Sequence, residues 1–305
     1  MNKWIKIFCI SFPITLILIS IFVTYFIITN STFNLGSSSI IDASLAGSFG
    51  SFYGGLIGTL LSASSIFLLI YTIVNQKDEA QKTNLKSNFF KMIDYHNQHL
   101  NSISVPHLDT NKPPSEGKRA FVTFKIQFKR ILETVKDLLI KENIQLDEKE
   151  IADIAYVIFY YGIEGSWTSF ITNKLSRYEK ISESLTIKLQ QKLKEKAPDQ
   201  NLARTNQTYL SAYFRNMYNA IKMVDESKTL TDSEKYELIT IYRAQISNPE
   251  LYIIFFNILS RFGAKWDQKN FINKYEFIKN IPFEYCDGYN PKKYFSVIKF
   301  EEDEY

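Results

Sequence analysis

The sequence predicts an all-α protein with an N-terminal two-helix transmembrane hairpin, followed by a helical cytoplasmic domain. Three observations predict this architecture. Two long segments near the start of the chain contain no charged side chain, and later apolar residues recur at intervals of three and four. No segment shows the sustained two-residue alternation of a half-buried strand.

The first charge-free segment covers residues 7–29 and is dominated by Ile, Leu, Phe and Val. A run of about 18 or more apolar residues is long enough to cross a bilayer. The alternative is a cleaved signal peptide, because Lys3 and Lys6 give the chain a positive start. Signal-peptide cores are shorter, about 7 to 15 residues, and no clean cleavage site precedes Asn30. Pro13 is expected to kink the helix without preventing insertion.

The second segment, residues 43–76, is a run of 34 residues without one charge. Small residues recur in it at every fourth position, namely at Ala46, Gly50, Gly54, Gly58 and Ser62. Residues four apart share one face of a helix, where small side chains let another backbone approach closely. The alternative is a glycine-rich loop or a flexible buried segment, but the apolar flanks favour a helix. This small-residue stripe predicts transmembrane packing and a homo-oligomer.

Basic residues predict the orientation of the hairpin. Lys3 and Lys6 precede the first span, Lys77 and Lys82 follow the second, and the connection over residues 30–42 contains no Lys or Arg. By the positive-inside rule both termini are expected in the cytoplasm, with the protein in the inner (cytoplasmic) membrane of the cell.

Charge and cysteine content exclude several classes of protein. The net charge is +4, and Lys and Glu are interspersed almost everywhere, so the charge pattern does not support nucleic-acid binding. Cys9 and Cys286 are the only cysteines, which implies no disulfide framework and no cysteine-based metal site. The sequence indicates no cofactor.

Composition and periodicity divide the chain into four parts. The hairpin covers residues 1–76, a stalk helix 77–104, a linker 105–117 and the helical cytoplasmic domain 118–305. The linker is predicted because three prolines and a glycine prevent a continuous helix there, at Pro106, Pro113, Pro114 and Gly117.

Regular spacing and caps predict the helices of the domain. The clearest apolar face consists of Phe121, Phe124, Phe128, Ile131, Val135 and Leu138. Capping boxes at Asp147 with Glu150 and at Thr231 with Glu234 mark two helix starts. Further helices are expected over residues 183–196, along Leu210 to Val224, after Asn248 and Pro249, and through Phe271, Tyr275 and Ile278.

Enzyme signatures are absent from the sequence. The chain contains no P-loop, no H-E-x-x-H motif and no G-x-S-x-G elbow. The three histidines are His96, His99 and His107, and the first two are close enough on a helix to share a metal with Asp94 or Asp109. The alternative is packing or surface histidines. Because a recognised third ligand is missing, we predict no metal site.

Arg243 is the most unusual polar residue of the domain, because it falls in line with Ile239 and Ile246 on a face expected to be buried. A buried guanidinium requires a partner, and Glu250 or Glu276 is in a position to supply a carboxylate. Two interpretations remain open, a structural ion pair and recognition of an anionic ligand.

Two other polar residues have equally open roles. Arg215 lies nearly opposite Met217 and should point away from the apolar stripe of its helix, either into solvent or toward a partner. Asn257 interrupts the otherwise apolar run 251–259, which is expected to be buried on all sides, and is predicted to make a hydrogen bond in the core.

Several ordered blocks resemble the phage abortive infection family of AbiC type. The blocks are Tyr213-Phe214-Arg215, Tyr242-Arg243-Ala244-Gln245, Ile254-Phe255-Phe256-Asn257, Lys274-Tyr275, Phe159-Tyr160-Tyr161-Gly162-Ile163 and Gly54-Gly55-Leu56-Ile57-Gly58-Thr59. The resemblance extends over most of the chain after residue 45. The family pattern often has histidine after the arginine of the first block, where this sequence has Asn216. Any role of a histidine at that position is therefore in doubt.

The resemblance implies membrane-associated bacterial defence against bacteriophage, in which infection is aborted before progeny are released, but no known reaction. Our hypothesis is that the helical domain senses or binds an infection-derived component, a phage or host protein being one possibility. The candidate ligand- or partner-binding residues are Arg215, Arg243, Gln245, Glu250 and Asn257. One alternative is a nuclease or nucleotide-processing effector that uses Arg215, Arg243, Glu250 and His96. Another is a non-toxic membrane-tethered scaffold.

Overall fold

The structure is a computed structural model that describes residues 3–29, 43–109, 111–165, 167–196 and 202–303. The protein is mostly helical, with 76% helix and 1% strand. It divides into two compact units, Met1–Leu85 and Lys86–Tyr305. Helix α2 (Ala43–Ser102) contributes residues to both units.

The first unit contains α1 (Lys3–Thr29) and the first part of α2, which pack against each other. The hydroxyls of Thr24 and Tyr53 lie 2.7 Å apart, and the rings of Phe12 and Phe67 lie 4.7 Å apart. Both helices are long and apolar enough to cross a membrane, judged by length and composition. The predicted connection between the spans, residues 30–42, lies outside the described residues.

The small-residue stripe does not lie on the face of α2 that contacts α1. Gly50, Gly54, Gly58 and Ser62 are exposed, and a Cβ placed on any of the three glycines meets no atom of the described chain within 4 Å. The contacting face instead carries larger residues such as Tyr53 and Phe67. The stripe is therefore exposed from Gly50 to Ser62, whereas Ala46 at its start is half-buried.

The core of the second unit consists of α3 (Lys118–Lys141), α4 (Glu148–Tyr161) and α9 (Asn248–Leu259), which pack on one another. The ring of Phe128 on α3 lies 5.5 Å from that of Phe159 on α4 and 4.6 Å from that of Phe256 on α9. The predicted apolar face of α3 is confirmed, because all six of its residues are buried. Residues 251–259 are also buried throughout, as expected.

Helix caps fix the ends of the central helices. The two predicted capping boxes are confirmed at the starts of α4 and α8 (Asp232–Arg243). A third box, between Ser247 and Glu250, begins α9. At the end of α4, Gly162 has a φ of 77°, and a Cβ there would lie 2.7 Å from the Thr205 nitrogen, so the chain requires glycine at this turn.

Further helices surround this core. They are α5 (Trp167–Leu175), α6 (Glu183–Lys196), α7 (Gln207–Asp225), α10 (Ala264–Gln268), α11 (Phe271–Lys274) and α12 (Pro291–Tyr294). Short 3₁₀ helices cover Arg261–Gly263, Phe283–Cys286 and Glu301–Asp303. The predicted helix through Phe271, Tyr275 and Ile278 is wrong beyond Lys274, because Glu276 adopts a φ of 46° that an α-helix does not tolerate.

The two strands of the described chain, β1 (Ser104–Val105) and β2 (Ser115–Glu116), lie near the two ends of the segment predicted as a linker, and β1 begins one residue before it. They pair antiparallel, with Ser104 opposite Glu116 and Val105 opposite Ser115. Val105 and Leu108 are buried, so this segment packs on the second unit even though its prolines exclude a helix.

Candidate functional site

A groove of about 1030 Å³ opens on the second unit between α7, the end of α9 and α10. We call it the basic groove, because the charged residues that line it are all cationic, namely Arg215, Lys222, Arg261, Lys265 and Lys269. Aromatic rings and side-chain amides supply most of its remaining lining. It is therefore suited to a ligand that is both anionic and aromatic.

Helix α7 forms one wall of the groove because it is amphipathic. Its buried face includes Tyr213 and Met217, which pack inward. Arg215 and Asn219 are exposed on the other side of the helix and reach the groove together with Lys222. The helix period thus places these three polar residues on one wall.

The turn after α9 forms the opposite wall. Ser260 caps the 3₁₀ helix Arg261–Gly263 by accepting a hydrogen bond from the Phe262 nitrogen at 3.4 Å. A Cβ on Gly263 would lie 2.4 Å from the Cα of Ile258, so only glycine allows α10 to begin this close to α9. Lys265 and Trp266 follow on α10 and line the groove.

Three of the five cations of the groove have acidic partners behind it. Lys222 and Lys269 approach the same carboxylate, that of Glu226, at 4.0 and 3.2 Å. The Arg261 Nε lies 2.9 Å from Oδ2 and 3.1 Å from Oδ1 of Asp153 on α4. Burial raises the pKa of Asp153, but hydrogen bonds from Arg261 and Tyr178 outweigh it and hold this pKa below its ordinary value.

Arg215 and Lys265 supply positive charge that the fold does not neutralise. The Arg215 Nε donates to the Ser211 carbonyl oxygen at 3.1 Å. Neither side chain forms an ion pair with an acidic residue in the part of the chain that the structure describes. Both are exposed, so they remain available to an anionic ligand.

Two pairs of aromatic rings lie along the groove. The rings of Tyr160 and Phe262 lie 4.5 Å apart, and those of Tyr218 and Trp266 lie 5.7 Å apart. Burial raises the pKa of the Tyr160 hydroxyl, and the positive charge of Arg215 opposes this shift. An arginine therefore accompanies the first aromatic pair.

Two of the five sequence-predicted candidates, Arg215 and Asn257, line the groove. The Asn257 side chain is buried and donates from Nδ2 to the Tyr156 hydroxyl at 3.0 Å, which confirms the predicted core hydrogen bond. Asn257 thus joins the base of the groove to the helical core.

Arg243 lies outside the groove, and its partners differ from those expected. Its Nη1 donates to the backbone carbonyl oxygens of Tyr275 at 3.2 Å and Glu276 at 2.8 Å. The Glu276 carboxylate instead accepts a hydrogen bond from the Tyr236 hydroxyl at 2.6 Å. The guanidinium holds the irregular segment after α11 because the carbonyls of a broken helix need donors.

Glu250 and Gln245 also have partners within the protein. The buried Glu250 carboxylate accepts from the Ser247 nitrogen at 3.0 Å and from the Tyr213 hydroxyl at 2.9 Å. Gln245 accepts at Oε1 from the Asn97 amide at 2.9 Å. These contacts join α7 to α9 and α2 to the turn before α9, and neither residue lines the groove.

The histidines occupy separate environments. The ring of His96 is 2% exposed and lies 4.5 Å from that of Tyr213 and 5.5 Å from that of Tyr242. Burial, aided by His99, lowers the pKa of His96 to about 4. The His99 Nε2 lies 3.2 Å from the Tyr209 carbonyl oxygen. Within the described ranges, no three side chains of the His, Cys, Asp and Glu types are grouped to hold a metal.

Sequence reasoning missed most of the basic groove. It did not identify Lys222, Arg261, Lys265 or Lys269, although two spacings were informative. Arg261, Lys265 and Lys269 are four residues apart, and Lys222 follows Arg215 by seven. Such intervals place cations on one helical face. Because basic and acidic residues are interspersed along the sequence, a concentration of cations that forms only in the folded protein is not visible in it.

Comparison with known proteins finds a family match for the part of the chain that contains most of the groove. No curated protein and no solved structure matches the chain. One family model matches residues 205–286. The blocks near residues 54–59 and 159–163 lie outside this region, whereas the later blocks and all groove residues except Tyr160 lie inside it. Residues 205–286 match the family described as "Putative phage abortive infection protein", which confirms the resemblance seen in the sequence.

Proposed function

We propose that this protein is a membrane-anchored bacterial antiphage defence protein that acts by abortive infection, and that its second unit binds an infection-derived component in the basic groove. One observation carries the proposal. The groove is built almost entirely from residues 205–286, the region that matches the phage abortive infection family. A cationic concave site is also an expected binding site for a small ligand.

The exposed surface of the first unit supports membrane anchoring. Ile28 and Phe22 expose 77% and 67% of their surface, and most other large apolar side chains of both spans face outward. Soluble monomers rarely expose a continuous apolar surface of this kind. In the proposed topology both termini lie in the cytoplasm, because basic residues flank the spans on that side.

The groove lacks the arrangement of a recognised hydrolase. Of the residues weighed for a nuclease or nucleotide-processing activity, Arg215 lines it, whereas His96, Arg243 and Glu250 do not. Each of the latter three packs against or bonds to partners inside the unit. Sensing by binding is the function that the groove residues support best.

The proposal is tested by phage plaquing on a susceptible bacterium that expresses the full chain. We expect fewer plaques for at least one phage of a broad panel than with an empty vector. The double substitution Arg215→Glu with Lys265→Glu should restore plaque counts to the empty-vector level, because it reverses the two free charges of the groove.

The matched control is Arg119→Glu with Lys228→Glu, which reverses one exposed arginine and one exposed lysine outside the groove. This control should keep protection. Unchanged plaquing across the whole panel with the unmodified protein would contradict the proposal. If the groove variant and the control variant lost phage protection equally, the groove would have no specific part in the proposed function.

The mode of killing is measured in the same cells with a voltage-sensitive dye and a DNA stain during infection. Loss of membrane potential before loss of DNA would identify membrane injury, whereas the reverse order would identify attack on nucleic acid. The groove variant should abolish whichever change comes first.

A further inference from the structure

We infer that the basic groove binds a nucleotide, with the base against the aromatic rings and the phosphates on Arg215 and Lys265. This inference rests on the proposed function, because it names the chemical class of the infection-derived component. The charge, the aromatic lining and the size of the groove each exclude other classes of ligand.

Charge selects an anion. Five cations line the groove, and within the described ranges the carboxylates paired with them are those of Glu226 and Asp153. Arg215 and Lys265 keep their charge free for a ligand. Guanidinium and ammonium groups bind phosphate oxygens through charge-assisted hydrogen bonds. A neutral or cationic ligand would leave these charges uncompensated.

The aromatic lining selects a flat ring. Tyr160, Phe262 and Tyr218 present half-buried rings to the groove, and Trp266, which is 3% exposed, packs against the ring of Tyr218. Bases stack on such side chains, and arginine beside the ring adds a cation–π contribution. Inorganic phosphate or a sugar phosphate would use the cations but not the rings. Side-chain amides of Gln207 and Asn219 also line the groove and are suited to the polar edges of a base.

Size favours a nucleotide over a nucleic-acid strand. The groove volume of about 1030 Å³ lies just above the range for small-molecule sites, roughly 300 to 1,000 Å³. Strand-binding proteins instead track many successive phosphates along an extended positive groove. Here the free cations are confined to one concave site.

The inference is tested by calorimetric titration of the full chain in detergent micelles. The probes are ATP, GTP, CTP and UTP, with tripolyphosphate as the anion without a base, adenosine as the base without phosphate, and a twelve-residue oligothymidylate as the strand. We expect at least one nucleoside triphosphate to bind at least about tenfold more tightly than tripolyphosphate, adenosine or the strand.

Two substitutions separate the phosphate and base contacts. Arg215→Glu should weaken nucleotide binding about tenfold or more, because it removes a charge-assisted contact and adds repulsion. Phe262→Leu keeps an apolar side chain but removes the ring, and should weaken binding about fivefold or more. Arg119→Glu is the charge control and should bind like the unmodified protein. Far-UV circular dichroism checks that each variant keeps its helix content.

Several results would overturn the inference. Absence of binding by all four nucleotides would exclude this ligand class, and equal binding of tripolyphosphate would exclude the base contact. Tighter binding of the oligothymidylate would identify a strand as the ligand. If Arg215→Glu abolished phage protection while no nucleotide bound, the proposed function would stand without this ligand. If Arg215→Glu lost nucleotide binding but kept phage protection, the groove would still be a nucleotide site, and its proposed role in defence would fail.

Discussion

The two units use similar apolar residues in opposite ways. In the first unit Phe22 and Ile28 face outward, whereas in the second Phe128, Phe159 and Phe256 are fully buried. A helix satisfies its own backbone groups in water or in lipid, so the outward apolar side chains of the first unit are compatible with the proposed membrane anchor. The difference shows that hydrophobicity alone does not specify a core: the first unit leaves most of its large apolar side chains exposed, whereas the second buries them.

Glycine shows the same difference on a smaller scale. A Cβ on Gly263 in the second unit would overlap the backbone of Ile258, whereas a Cβ on Gly54 or Gly55 in the first meets nothing within 4 Å. Glycine at position 263 is therefore a packing requirement. Gly54 and Gly55, by contrast, leave an open surface on the second span. The four tests below break or sharpen this comparison.

The largest effect is expected at the buried ion pair of the second unit. Asp153→Ala leaves Arg261 without its carboxylate and should lower the free energy of unfolding by about 3 kcal/mol or more. Because the pKa of Asp153 is lowered, the contribution of the pair is present above about pH 4 and is lost as the pH falls through the folded-state pKa. Urea denaturation of the full chain in detergent, followed by circular dichroism, measures it.

The control for this test is Asp232→Ala, whose carboxylate is 92% exposed and should contribute about 1 kcal/mol or less. A change of similar size in both variants would show that the Asp153 pair does not stabilise the second unit specifically.

A somewhat smaller effect is expected for Gly263→Ala. The added methyl group overlaps the backbone of α9, so the turn must shift, at a cost of about 2 to 3 kcal/mol. The midpoint of thermal unfolding should fall accordingly. Gly55→Ala in the first unit makes the same chemical change where no atom is near, and should leave the midpoint unchanged or slightly raised. An equal response of the two variants would contradict the contrast drawn between the units.

The buried histidine of the second unit predicts a moderate dependence on pH. The folded-state pKa of His96 is about 4, below the ordinary value of 6.5, so the unfolded chain binds more protons in this window. Stability should therefore fall on acidification, by about 1.5 kcal/mol between pH 6.5 and 5. His96→Leu should flatten this slope, whereas His107→Gln should retain it. An unaltered slope in His96→Leu would mean that His96 is not the titrating group. Unfolding midpoints at several pH values measure the slope.

The smallest effect on stability is expected in the small-residue stripe. Gly54→Leu with Gly58→Leu adds side chains on the face turned away from α1, so hairpin stability should change by less than about 0.5 kcal/mol. The expected change is instead a loss of self-association, because close backbone approach is blocked. Light scattering in detergent measures the oligomer size. An unchanged oligomer would exclude the stripe as the interface.

Regular elements were predictable where local signals agreed. The capping boxes at Asp147 and Thr231 and the aromatic face of α3 located three helices, because side-chain caps and helix period act over a few residues. The segment after Lys274 was not predictable in this way. Its course depends on the positive φ of Glu276 and on the Arg243 guanidinium from another helix.

The candidate site also combines residues that were recognisable from their neighbours in the sequence with residues that were not. Asn257 was recognisable because it interrupts the apolar run of its helix, and Arg215 because it belongs to a block that resembles the family. Lys222, Arg261 and Lys265 are ordinary basic residues in the sequence, and their significance depends on α7 and α10 lying on either side of one groove. A site assembled from distant segments has no local signature.

The sequence by itself determined the helical class, the two apolar segments and the family resemblance, because composition, period and caps are properties of neighbouring residues. Only the tertiary structure decided that the small-residue stripe faces away from the first span, that Arg243 binds backbone carbonyls, and that five scattered cations meet in one groove. The physical reason is that such contacts join residues far apart in the chain, so they exist only after the helices have packed.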